Sequence, residues 1–186
     1  MNGADPSPLV SLSVHELLDA VAARTTAPGG GAAAALTTAL AASLTAMAAR
    51  FDRDPVRVPG LVSLADDVRD RAACLADDDV AAYARYVAAR RAHADDLEQA
   101  LDGAVAVPLE VTALAERIAS TAFTLADEGN PYLRGDAVTA CWLAAAAARS
   151  ASGLVAQNLS GRPGDERVQQ ARHSADRAHH CASRLQ

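Results

Sequence analysis

The chain has 186 residues, with 17 basic and 23 acidic side chains and a formal net charge of −6. That balance lacks the basic face of a nucleic-acid-binding protein, and the absence of any lysine excludes a lysine Schiff base or a lysine phosphate clamp. Roughly a quarter of the residues are alanine, small and the strongest of helix formers, so the composition predicts an all-α fold with closely spaced helices.

Taken in chain order, residues 1–10 are expected to be a flexible tail, and residues 11–186 a single helical domain. Ser13-Val14-His15-Glu16 has the capping-box pattern, and Val14, Leu17, Leu18 and Val21 form the apolar stripe of a short first helix. Pro28-Gly29-Gly30-Gly31 then leads into a second helix over about 31–51, with Leu36, Leu40, Leu44 and Met47 at helical spacing. Glycines let another group approach bare main chain, and the helix offers unpaired N–H groups and a positive dipole end. The segment therefore suits an anion or a polar ring edge. The plainer alternative is that Gly30 and Gly31 let two helices pack closely. Neither a Walker A loop nor a GxGxxG pattern is present.

Arg53-Asp54-Pro55 to Pro59-Gly60 interrupts the pattern. A third helix is predicted over about 60–94 and a fourth over about 95–128, bent at Pro108. Gly129-Asn130-Pro131 stops it. A fifth helix is expected over about 136–159, then a stop at Gly161-Arg162-Pro163-Gly164 and a polar, half-buried last helix over about 165–184. The economical architecture is an antiparallel bundle of about six helices, several of them long. With two Phe, three Tyr and one Trp the core of a monomer is thin, so burial between subunits is expected.

Cys74, Cys141 and Cys181 are odd in number and lack a CxxC pair, which reads as reduced, mostly buried thiols of a cytosolic protein. The first residues have no basic n-region or apolar signal core. The most apolar stretch, 31–49, carries Thr and Ser and little bulky surface, so no membrane span is expected. His179-His180-Cys181 lacks a partner cluster at zinc-ligand spacing, and no metal site is assigned.

Five landmarks follow one another in order. They are Pro28-Gly29-Gly30-Gly31, Asp78-Asp79-Val80-Ala81-Ala82-Tyr83, Ala106-Val107-Pro108-Leu109-Glu110, Gly129-Asn130-Pro131 with Arg134-Gly135-Asp136, and Val155-Ala156-Gln157-Asn158-Leu159. In this the chain resembles the cyclodeaminase/cyclohydrolase family, over about residues 14–165. The resemblance implies a helical homodimer with a folate site near the glycine loop and the subunit interface. The implied chemistry acts on one-carbon units at N5 and N10 of tetrahydrofolate. It either opens the 5,10-methenyl bridge with water to give 10-formyltetrahydrofolate, or closes a 5-formimino group onto N10 with loss of ammonia. The tetrahydrofolate derivative is the substrate, and no permanently bound cofactor is implied. Hydrolysis is expected rather than deamination, because no formiminotransferase half accompanies the sequence.

The methenyl bridge is a delocalised cation. Its opening needs a water, a base and a proton for the leaving nitrogen, so a carboxylate can both attract the cation and act as base. The resemblance makes Asp79 and Asp136 the candidates. Asp79 ends an acidic run that otherwise reads as a solvated face, and Asp136 suits a helix cap or first turn equally well. Pro28, Gly29, Gly30 and Gly31 are the candidate substrate loop. Asn130 fits either a turn or substrate binding, and Asn158 either the pterin or a neighbouring helix. Arg134 is the candidate for the glutamate tail.

Several positions depart from the family pattern. Ala32 replaces a serine after the glycines, Gly135 replaces a serine before Asp136, and Leu154 replaces the first amide of an Asn-Val-x-x-Asn-Leu segment. Ala88-Ala89-Arg90-Arg91-Ala92 stands where Leu-Pro-Lys is common. The alternatives are thus a divergent folate enzyme, a family member acting on a non-folate substrate, or a non-catalytic helical dimer.

Overall fold

A computed structural model describes residues 7–162 and 164–185. Its six α-helices are α1 (Val14–Ala22), α2 (Gly30–Arg50), α3 (Val58–Ala92), α4 (Leu97–Glu128), α5 (Arg134–Asn158) and α6 (Glu166–Ser183). Short 3-10 turns lie at Leu9–Ser11 and Pro131–Leu133, and there is no strand among the described residues. The all-α bundle expected from composition is the observed fold.

Helices α2, α4 and α5 pack on one another; α3 closes the α2/α4 side and α6 the α4/α5 side. Alanine makes this possible. Ala32, Ala35, Ala41, Ala42 and Ala49 of α2 and Ala140, Ala144, Ala148 and Ala151 of α5 are fully buried, and such small side chains allow backbones to approach closely. The largest fully buried side chains are only Leu75, Ile118 and Leu159, followed by valines and threonines. Buried Thr38, Thr45 and Thr112 each donate their hydroxyl to the carbonyl four residues back, which satisfies the polar atom inside the core. Helix α2 and the span Pro131–Asn158 are long and apolar enough to cross a membrane, but about half of each apolar window (56% and 50%) is buried against the rest of the bundle.

Helix ends follow local chemistry. Ser13 and Glu16 form the expected capping box of α1. Helix α3 stops at Ala92, two residues before the sequence-based expectation, because His93 takes a left-handed conformation (φ 49°) and lets the Ala94 N–H reach Ala89 O. Pro163 of the expected stop after α5 lies outside the described residues, as do residues 1–6 of the expected tail. The end of that tail is tied down: Leu9 is buried, and its N–H donates to Asp77 Oδ1 at 2.9 Å.

Two expectations about side chains are corrected. Cys74 is exposed, although Cys141 is buried and Cys181 half-buried. Cys141 donates its thiol to Ala119 O, and burial pushes its pKa up to about 12, so it is no thiolate nucleophile. Helix α1 buries none of its residues; Val14, Leu18 and Val21 stand 74%, 62% and 41% exposed.

Candidate active site

The N-terminus of α2 is where the glycine run meets the rest of the bundle. Gly29 is the N-cap and has no side chain to bond the first N–H groups of α2. Asp79 of α3 does so instead, 47 residues along the chain: Oδ2 accepts the Ala32 N–H at 3.0 Å. Gly31 makes the approach possible, since a Cβ there would overlap the Asp79 carboxylate. Gly31 is thus a glycine because a carboxylate, rather than a helix, occupies the space beside it. No such need exists at Gly30, where a Cβ would rest in ordinary contact with the Leu154 methyls at 3.9 Å.

Asp79 is half-buried, and burial raises its pKa above the ordinary 3.8 while the Ala32 N–H pulls the other way. Its neighbours in the acidic run have other partners. Asp77 holds Leu9 N–H, and Asp78 bonds Arg71 at 3.1 Å. Arg71 also grips both oxygens of Glu110 at 2.7 and 2.8 Å, which holds the Glu110 carboxyl below its usual range and ties α3 to α4. Asp77 and Asp79 therefore each hold a backbone N–H and depart from the solvated-face reading, whereas Asp78 is exposed and pairs with Arg71 at the surface, as that reading expects.

A cleft of about 220 Å³ opens above Asp79. One side is the glycine loop with Thr26, Ala27, Gly29, Gly30 and Gly31; α3 contributes Asp79 and Tyr83. Ala104 and Pro108 of α4 form the floor, and Leu154, Gln157 and Asn158 of α5 the far wall. Pro108 lacks an N–H, so the Ala104 carbonyl four residues earlier has no helical donor. Asn158 Nδ2 supplies one at 3.0 Å. This bond locks the end of α5 onto α4 and uses one of the two amide N–H donors, while the amide oxygen of this cleft-lining residue is an acceptor. Beneath it Val105, Val155, Leu159, Val168 and Ala171 form a small apolar cluster.

Of the sequence candidates, Gly29, Gly30, Gly31, Asp79 and Asn158 meet here, with Pro28 adjoining them in the loop. Asn130, Arg134 and Asp136 do not. Asn130 shapes the α4–α5 corner, donating Nδ2 to Phe51 O at 3.0 Å and accepting the Tyr132 N–H at 3.1 Å. Arg134 is exposed, and Asp136 lies in the first turn of α5. Asp136 is 22 residues from Asn158 on one helix, or about 33 Å at 1.5 Å per residue. Asp79 and Asp136 of one chain are therefore no pair. Tyr83 and Gln157 were missed as site residues. The signal for Tyr83 was its position four residues after Asp79 on the same helix.

The sequence model of the family described as formiminotransferase-cyclodeaminase matches residues 13–177. The chain belongs to this family. Among solved structures it is similar to the crystal structure of formiminotetrahydrofolate cyclodeaminase from Thermotoga maritima, with a TM-score of 0.88 at 26% sequence identity over 95% of each chain. No curated protein matches it. Seen as a formiminotransferase-cyclodeaminase family member, the chain has two of its departures at the cleft. Ala32 offers Asp79 a backbone N–H, which any residue but proline supplies. Leu154 puts methyl groups beside Gly30 where the expected amide would be polar. Gly135 is exposed at the far corner, and among the described residues no group of three His, Cys, Asp or Glu side chains is placed to hold a metal ion.

Proposed function

We propose that this chain acts on the one-carbon unit between N5 and N10 of tetrahydrofolate, hydrolysing 5,10-methenyltetrahydrofolate to 10-formyltetrahydrofolate with Asp79 as the base. The observation that carries this reading is a half-buried carboxylate of raised pKa, fixed at a helix N-terminus in a cleft with an amide and a tyrosine. The methenyl carbon is already electrophilic. Asp79 attracts the amidinium cation and takes a proton from the attacking water. The C–O bond forms, the C–N5 bond then breaks, one proton ends on N5 and one leaves to solvent. Asn158 and the loop N–H groups hold the pterin edge.

A second reading is favoured by the family description and by the similarity to a formiminotetrahydrofolate cyclodeaminase. In it N10 attacks the formimino carbon, a proton is taken up, and ammonia departs as the methenyl bridge closes. The same carboxylate serves both, because each passes through a tetrahedral carbon whose protons must be moved. One assay separates them: loss of methenyl absorbance for the hydrolysis, against its gain with ammonia release from 5-formiminotetrahydrofolate. Neither signal, from folded protein, would favour a member turned to a non-folate substrate or to a purely structural dimer.

The working unit in this reading is a cytoplasmic homodimer of single-domain subunits. Its support is the apolar face of α1 and the stripe of Leu36, Leu40, Leu44 and Met47 on α2, continued by Phe51 just past its end, of which Leu40 and Phe51 are 56% and 60% exposed. That stripe runs from the cleft end of α2 to the corner holding Asn130, Arg134 and Asp136. A two-fold pairing along it would carry that corner to the cleft of the other subunit. Asp136 of the partner subunit is then the second carboxylate, and Arg134 of the partner subunit a further cation at the site.

A further inference from the structure

Helix α3 does not end at the cleft. Asp79, Tyr83, Tyr86 and Arg90 follow at i, i+4, i+7 and i+11, which places them along one helix face. Tyr83 lines the cleft and also a second, shallower depression with Tyr86, Val87, Arg90 and Arg91. The two hollows therefore adjoin at one shared side chain.

Nine of the seventeen arginines form no ion pair among the described residues, and the two at the far end of this face, Arg90 and Arg91, are among them. Arg50, Arg57, Arg69, Arg71, Arg162, Arg167 and Arg177 are all held by carboxylates. Arg90 and Arg91 are exposed and form no ion pair or hydrogen bond among the described residues. Two uncommitted guanidinium groups thus stand about 16 Å along α3 from Asp79, eleven residues at 1.5 Å each. Guanidinium is the side chain whose fork matches a carboxylate, and tyrosine faces suit a flat aromatic group on the way to it.

The geometry points to a subsite on α3 for the arm of an elongated substrate. Tyr83 and Tyr86 lie against an aromatic linker, and Arg90 and Arg91 hold its terminal carboxylates. This rests on the folate reading of the cleft and makes the benzoylglutamate arm the part of the substrate that α3 selects. It also gives a role to the Arg-Arg pair standing where relatives carry a different segment.

The test compares 5,10-methenyltetrahydrofolate with 5,10-methenyltetrahydropteroate, which has the same rings and aromatic linker but no glutamyl carboxylates. Wild-type protein should prefer the folate by about five- to tenfold in kcat/KM, the scale of one or two solvent-exposed ion pairs. Arg90→Gln/Arg91→Gln should lose that preference, with the loss falling in KM. Raising ionic strength should raise the wild-type KM for the folate and leave that for the pteroate flat, a readout that needs no variant. Both arginines also sit in the last turn of α3, where cations favour the helix dipole. A purely structural role would therefore lower the Tm and spare the preference. An unchanged preference in folded variant, or equal salt response of both substrates, overturns the subsite and leaves the folate reading standing. Failure of wild-type protein to bind or turn over either compound overturns the folate reading, and the subsite with it.

Discussion

Replacing Gly31 by alanine should distort the site from within, and the structure fixes both sign and scale. In an ordinary helix position, alanine is favoured over glycine by up to about 1 kcal/mol. At Gly31 the new Cβ would lie inside the contact distance of the Asp79 carboxylate. That carboxylate is held by the Ala32 N–H at 3.0 Å, so it cannot retreat without breaking the bond that caps α2. Overpacking costs about 1–3 kcal/mol, and loss of a capping bond about 0.5–2 kcal/mol. After the gain in propensity, Gly31→Ala should destabilise by about 1–3 kcal/mol. Urea unfolding of Gly31→Ala, Asp79→Ala and the double variant measures this as a cycle. With the carboxylate gone, Gly31→Ala should cost nothing or stabilise, giving a coupling of about 2 kcal/mol or more. Gly153→Ala is the control, because nothing lies within 4 Å of its Cβ position and only propensity acts there. Equal costs for Gly31→Ala with and without the Asp79 carboxylate would show that this glycine does not exist to admit it.

Asp79→Asn should raise the Tm at neutral pH while removing turnover. Burial raises the Asp79 pKa, so its favourable contribution is present below the ordinary value of 3.8 and is lost as pH rises through the higher folded value. A drop in Tm at pH 7, or a gain only under acid conditions, would contradict this. In wild-type protein the acid limb of kcat/KM should lie above pH 3.8, because the base must be ionised to work. Asn158→Ala should cost about 1 kcal/mol or more by orphaning the Ala104 carbonyl, and clearly less in a Pro108→Ala background, where the helix regains its own donor; equal costs in the two would show that the amide serves something else. Inactive Asp79→Asn and Asp136→Asn chains, unfolded together and refolded, should regain part of the activity if the two carboxylates meet across a dimer, and none if they do not.

Much of the fold was legible because helix signals are local. The capping box at Ser13, the proline and glycine stops and the apolar spacing of α2 to α5 all lie within a few residues of what they determine. Helix ends were off where a backbone conformation decided them, as at His93. The site was legible in part. The glycine loop and Asn158 carry composition signals, whereas the acidic run at 77–79 looks alike at each residue, and only tertiary packing gives each carboxylate a different partner. The link between Pro108 and Asn158 spans 50 residues and had no sequence signal except the missing proline N–H itself. Asp136 lies far from Asp79 because motif order along a chain says nothing about which end of a bundle each motif reaches.

The most direct test of Asp79 as the base is the rate at which 5,10-methenyltetrahydrofolate absorbance disappears with wild-type and Asp79→Asn protein, under conditions of slow spontaneous hydrolysis. Acceleration should grow in proportion to wild-type protein and be lost in a folded Asp79→Asn variant that still binds the folate. Full turnover by the variant would contradict the assignment of Asp79 as the base.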